Sequence, residues 1–293
     1  HYRLLGRSGL RVSPLALGTM TFAAGDWGST DEEAARMVDI YVERGGNFID
    51  TADFYGQMGG SETLPGRLVH GQRERLAIST KYSLTTRPGD PNAAGNSRKN
   101  MVRSVEDSLR RMQTDYIDLL YLHMWDFRTP VDEILRAFDD LVRAGKVLYI
   151  GLSDTPAWQA SRMQAIAELR GWTQFCALQI SYSLLERTVE REMIPMAREM
   201  GLGVCPWSPL GGGVLSGKYS QADLTATGTP GQLGSRKAIN AATGRLNEHS
   251  LAVAALVGEI AREIGKTPAQ GALAWTLRDP AATAPGPGAR TPA

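Results

Sequence analysis

The feature that most limits what this chain can fold into is a repeated exchange of short apolar runs for amphipathic helical stretches. After an expected hairpin over residues 2–12, where apolar pieces flank Arg7-Ser8-Gly9, a first buried strand is expected at 15–18. A helix N-capped by Asp31 runs to Glu43, with Ala34, Ala35, Val38 and Val42 on one face, and Gly45-Gly46 ends it. Further strands are expected at Phe48-Ile49, 76–80, 117–122, 147–152, 175–180 and 203–207, with a short final one at 282–288. Helices at 61–69, 98–112, 131–143, 156–169 and 189–200 separate most of them, and two more are expected at 251–264 and 268–277.

Repeating βα units give a parallel sheet with right-handed crossovers. Eight strands favour a closed (β/α)8 TIM barrel, which takes about 250 residues as one domain, so the 293 residues read as a single barrel domain, 1–293. The doubly wound alternative wants Gly-x-Gly-x-x-Gly after its first strand, but Gly18-Thr19-Met20-Thr21-Phe22 stands there. No eighth helix follows 282–288, and the chain begins at His1 rather than Met, so both termini are expected to lack residues.

Composition excludes several function classes. The net charge of +1 offers no basic field for nucleic acid. No apolar run reaches the roughly 18 residues of a membrane helix, and no signal peptide is visible. The four histidines have no metal-ligand spacing, so no metal is expected. Cys176 and Cys205 sit in apolar runs and read as buried free thiols. A cytoplasmic monomer is the default.

The chemistry concentrates where strands end. Phe48-Ile49 runs into Asp50, with Tyr55 five residues on; Lys81 and His123 stand at the ends of the third and fourth strands. Barrel enzymes place working groups at such tips, and adjacent tips converge. Together these side chains suit proton delivery. Asp50 holds Lys81 charged, the ammonium favours the phenolate and lowers the Tyr55 pKa, and Tyr55 gives a proton to a carbonyl oxygen that His123 also orients. No nucleophile is evident, so the hydride must come from elsewhere. Asp53 is left to capping or solvent.

The run from Phe48 to Tyr55, with Gly60-Ser61-Glu62 behind it, Ser79-Thr80-Lys81, and Asp118-Leu119-Leu120-Tyr121-Leu122-His123, resembles the aldo-keto reductase superfamily. The resemblance covers essentially the whole chain. It implies an NAD(P)H-dependent carbonyl reductase on a barrel, with Asp50, Tyr55, Lys81 and His123 as the catalytic tetrad. It further implies cofactor contacts at Thr19 and Met20 and at Ser153, Asp154 and Gln179 around the nicotinamide carboxamide. Asp154 replaces the family's usual asparagine and can accept but not donate a hydrogen bond.

Trp207 would stack on the nicotinamide, and Ser208, Pro209, Leu210, Gly211 and Lys218 belong to the loop over the pyrophosphate. That loop, 208–249, is rich in Gly, Ser, Thr and Ala and lacks a period. Arg236 and Arg290 would meet the 2′-phosphate of NADP(H), a planar fork being suited to phosphate. Trp27, Phe54 and Trp125 follow the first, second and fourth strands and would wall a pocket for a small-molecule carbonyl substrate. The other reading is a cofactor-binding regulatory protein of the channel β-subunit or redox-sensor type; His123 argues against it, since the channel-associated branch carries asparagine there.

Overall fold

A computed structural model describes residues 1–25, 28–224 and 236–292. Seven parallel strands, each hydrogen-bonded to the next in chain order, make a curled sheet: β3 (Leu17–Gly18), β4 (Phe48–Asp50), β5 (Ala77–Tyr82), β6 (Ile117–Leu122), β7 (Val147–Ser153), β8 (Ala177–Ser181) and β9 (Gly203–Trp207). The eighth position is taken by residues 282–288. These bridge β9 through Val204–Ala282 and Trp207–Gly286, and β3 through Gly18–Gly288. Pro285 and Pro287 explain why bridges replace a ladder here. Their carbonyls accept from Ala16 and Gly18 at 2.9 and 3.1 Å, but proline has no N–H to return. The sheet closes as a (β/α)8 barrel.

Helices α1 (Asp31–Glu43), α2 (Tyr55–Leu68), α3 (Arg98–Met112), α4 (Val131–Arg143), α5 (Ala157–Arg170) and α6 (Met193–Met200) alternate with the strands. Two ends differ from expectation. Thr30, not Asp31, caps α1: its hydroxyl accepts from Glu33 N–H while Glu33 reaches back to Thr30, and Asp31 stands in the first turn instead. The helix expected at 61–69 is preceded by a tight turn, because Gly56, Gln57, Met58 and Gly59 all adopt positive φ behind Tyr55.

Residues 208–249 were expected to lack regular structure. Among those described, they carry 3₁₀ turns at Gly211–Ser216 and Gln221–Asp223, the helix α7 (Arg236–Ala242), and the start of α8 (Glu248–Glu263), whose cap is Asn247. Helix α9 (Pro268–Thr276) follows.

The core has two layers, as period-2 strands in a barrel require. Leu119 and Tyr121 of β6 face inward with Phe48, Ala77, Ala177, Cys205 and Ala284, while Leu120 and Leu122 join Ile78 and Ile150 against Val105, Leu135, Phe138 and Met163 of the helices. Tyr121 fits because Gly151 lies opposite; a Cβ there would come within 2.5 Å of the tyrosine ring. Both cysteines are free and buried. The hairpin β1 (Arg3–Leu4) and β2 (Arg11–Val12) seals the N-terminal end of the barrel, where Leu5 and Val12 join the inner cluster and Arg7 N–H donates to Gly201 O at 2.8 Å. The polar strand tips gather at the opposite end. Among the described residues no helix is long and apolar enough to cross a membrane.

Candidate active site

Asp50 is the last residue of β4, Lys81 the penultimate residue of β5, and His123 directly follows β6. These strands are neighbours, so the structure brings the three side chains together, with Tyr55 at the start of α2 above them. The Lys81 Nζ lies 2.8 Å from Asp50 Oδ2 and also donates to Thr51 O at 2.7 Å. The second carboxylate oxygen accepts from Ser79 Oγ at 2.7 Å and from Gln179 Nε2 at 3.1 Å. Thr19 fixes the same strand tip, its N–H and hydroxyl both donating to Asp50 O. Lys81 is wholly buried, and a buried ion pair is tolerable only when its remaining hydrogen-bonding capacity is met in this way.

The Lys81 ammonium lies 4.9 Å from the centre of the Tyr55 ring, and that ring meets the His123 imidazole edge to face, centroids 5.7 Å apart at 81°. Burial would lower the Lys81 pKa, but the Asp50 charge and the Tyr55 hydroxyl outweigh it and hold the lysine above its usual value, so it is a cation. Tyr55 departs from expectation. Lys81 does pull its pKa down, yet burial, aided by the Asp50 charge, pushes harder and leaves it raised. Tyr55 is therefore stocked with its proton at neutral pH.

Burial, then the Lys81 charge, lowers the His123 pKa to about 3, so the imidazole is neutral. Its Nδ1 is buried without a partner among the described residues, and since an orphaned N–H is rarer than an orphaned acceptor, the proton belongs on Nε2. The arrangement can offer two donors to one oxygen: a phenol able to part with its proton to a base as strong as an alkoxide, and a neutral imidazole N–H.

Asp53 was expected to cap or face solvent, and the structure corrects this. It is fully buried, on the loop between β4 and α2. Its N–H donates to Lys81 O at 3.1 Å; neither carboxylate oxygen makes a well-formed hydrogen bond to a described residue, although the Ser104 hydroxyl lies near enough to favour the ionised form. Burial first, then the nearby Glu62 charge, raises its pKa well above the carboxylate range. Glu62, also buried, accepts from Arg111 Nε at 2.6 Å and from the Thr80 hydroxyl. Its place in the Gly60-Ser61-Glu62 run was visible in the sequence; its pairing with Arg111 of α3 was not.

On the other side of the mouth, Ser153 of β7 pairs in register with Gln179 of β8, and Asp154 follows at φ +37°. Asp154 Oδ1 accepts from the indole Nε1 of Trp207 at 3.1 Å. Burial raises the Asp154 pKa, opposed by that indole hydrogen bond. Ser208 takes φ +50° and its carbonyl accepts from Gly211, opening a turn in which Gly211, Gly212 and Gly213 have φ of +57°, +68° and +91°. A Cβ on Gly212 would come within 2.2 Å of Asn240 Oδ1. Asn240 of α7 was not singled out in the sequence; fully buried, its amide donates to Gly212 O at 3.0 Å and clips the glycine turn to the helix.

Pro209 is buried, while Met20 and Leu210 are half-buried. Lys218, Arg236 and Arg290 lie close enough that the two arginines oppose charging of Lys218, after burial, as its pKa falls. A glycine turn that rejects a Cβ beside clustered cations fits a polyphosphate such as a dinucleotide carries.

Of the expected pocket residues, Trp27 lies outside the described residues, and Phe54 is exposed. Trp125 is nearly buried, standing edge-on to Phe127 at 6.4 Å; Phe127 is 72% exposed. Among the described residues no cluster of His, Cys, Asp or Glu could hold a metal ion.

A barrel sealed at one end, with a buried ion pair, a tyrosine and a histidine at the other, defines an enzyme-like site. The model of the aldo/keto reductase family matches residues 14–293, and the chain belongs to that family of oxidoreductases. It is 44% identical over 235 residues to the norsolorinic acid reductase stcV of Emericella nidulans, across 76% of this chain and 59% of that protein. It is 42% identical over 300 aligned positions to the uncharacterized oxidoreductase YrpG of Bacillus subtilis, across 99% of this chain and 87% of that one. An aryl-alcohol dehydrogenase of Pestalotiopsis microspora is 39% identical over 238 residues, 78% of this chain and 61% of its own. The chain thus spans about three fifths of the two named fungal relatives.

Proposed function

We propose that this protein is an NADP(H)-dependent reductase of aldehydes or ketones, with Tyr55 as the general acid. The observation that carries the reading is the buried Asp50–Lys81 pair beneath a protonated Tyr55 and beside a neutral His123. NADPH, when bound, supplies the hydride. The chain's own residues do the rest.

As the carbonyl oxygen gains charge, Tyr55 gives it a proton and His123 Nε2 donates a hydrogen bond to it. The Lys81 cation steadies the phenolate left behind. Asp50, held by five donors to its side chain and carbonyl, keeps Lys81 charged and in place. Ser153, Asp154 and Gln179 would orient the carboxamide, with Thr19 and Met20 at the adjacent rim and Trp207 as the flat wall. Ser208, Pro209, Leu210, Gly211 and Lys218 would back the pyrophosphate, and Arg236 and Arg290 the 2′-phosphate.

In this reading the chain is one barrel domain, and residues 208–249 lie over the cofactor. Trp27, Phe54 and Trp125 wall the substrate pocket. The names of the relatives together with exposed Phe54 and Phe127 favour an aromatic carbonyl.

The test is to mix protein with NADPH and a panel of aromatic and aliphatic carbonyl compounds and to follow loss of reduced-nicotinamide absorbance. Turnover is expected, faster with NADPH than with NADH. Tight NADPH binding with no carbonyl consumed would overturn the enzyme reading in favour of a cofactor sensor.

A further inference from the structure

Arg245 is not among the residues that the resemblance implies, yet the structure sets it against the centre of the proposed cofactor site. It stands between α7 and α8, and its guanidinium carbon lies 5.4 Å from the ring centre of Trp207, within cation–π range. Trp207 is thus held on its edge by the Asp154 carboxylate and on its face by a cation.

The backbone around Arg245 is pinned. Leu246 is buried in an apolar cluster with Val214 and Ala254, and its N–H donates to Asn240 O at 3.1 Å. Asn240 in turn holds Gly212 O. The segment that presents Arg245 is therefore clipped directly to the glycine turn.

No carboxylate among the described residues pairs with Arg245, Lys218 or Arg290 in an ion pair. Arg245 and Arg290 both oppose the charge of Arg236, and Arg236 and Arg290 oppose that of Lys218. Packing like charges together is unfavourable, and an arriving anion would relieve it. The arginine's planar fork, with donors on several edges, suits a phosphate better than a point charge does.

We propose that Arg245 is a further cofactor-binding residue, which leaves the face of Trp207 or reaches past it to engage a phosphate of the bound dinucleotide. This rests on the NADP(H) reading above. The phosphate is either the pyrophosphate, common to both nicotinamide dinucleotides, or the 2′-phosphate, present only in NADP(H). The two sources are separable.

The test titrates wild type, Arg245→Gln and Arg245→Lys with NADP⁺ and with NAD⁺, reading tryptophan fluorescence and heat of binding, with thermal melting as the check on folding. Arg245→Gln is expected to weaken NADP⁺ at least about tenfold, the scale of a lost charge-assisted hydrogen bond, with Arg245→Lys falling between it and wild type. An equal loss for NAD⁺ assigns the pyrophosphate; a loss confined to NADP⁺ assigns the 2′-phosphate. A folded Arg245→Gln that binds both cofactors as wild type does would overturn the proposal and leave the NADP(H) reading intact. Wild type that binds neither cofactor would overturn that reading and this proposal with it.

Discussion

The two sides of the barrel mouth are built on opposite principles. Over β4, β5 and β6 the working charges are answered: Asp50 by Lys81, Ser79 and Gln179, and Glu62 by Arg111 and Thr80. Across the mouth, from β9 to the residues after 288, backbone conformation and cations prevail. There, left-handed Ser208 and Gly211–Gly213 stand among Lys218, Arg245 and Arg290, for which no carboxylate appears in the described ion pairs. A closed network suits a side that must keep fixed geometry and proton inventory through turnover. Open positive charge suits a side completed by an anionic ligand.

Breaking the closed side is expected to have the largest effect. Lys81→Met leaves Asp50 buried without its cation, which costs about 3–5 kcal/mol of stability by denaturant titration and abolishes turnover. A stability change below about 1 kcal/mol would show that the pair is not the anchor described. On the open side, Lys218→Gln is expected to leave melting almost unchanged because the side chain is exposed. It should weaken NADP⁺ about tenfold at low salt, and much less at high salt, where screening already suppresses the contact.

His123 sharpens the contrast through pH. Its pKa falls from 6.5 to about 3 on folding, so below about pH 6.5 the unfolded chain binds more protons than the native one. Stability should therefore decline on acidification from pH 6.5 towards 3, by at most about 1.4 kcal/mol per pH unit, and His123→Gln should flatten that slope. The rate should carry no histidine inflection between about pH 5 and 8.

Asp53 gives the smallest effect and the opposite sign. Because its folded pKa is raised, the native state keeps a proton that the unfolded chain releases above about pH 4, so the penalty is absent in acid, grows as pH rises from there and levels off once pH passes the folded pKa. Asp53→Asn should raise stability on the order of 1 kcal/mol at neutral pH and lose that advantage in acid.

The strand tips were legible because each follows an apolar run, and strand register alone carries Asp50, Lys81 and His123 to one end of a parallel barrel. Burial was not legible. Asp53 looked like a solvent residue because nothing in the sequence shows that its loop lies inside the barrel mouth, beside Glu62 and Lys81. The same blindness gave the wrong net direction for Tyr55, whose neighbours could be named from the sequence but whose desolvation could not. Residues 208–249 lack a hydrophobic period, so α7, the clip from Asn240 to Gly212 and the position of Arg245 emerged only in three dimensions.

The central claim is that proton delivery and cofactor retention reside on different sides of one mouth, and Tyr55→Phe tests it most directly. The variant removes one hydroxyl from the closed side alone. Turnover of a carbonyl substrate with NADPH and the NADP⁺ dissociation constant are to be measured on the same preparation. Turnover is expected to fall by about 10²–10⁴-fold while the dissociation constant stays within about twofold of wild type. Unchanged turnover, or a parallel collapse of cofactor binding, would contradict the account.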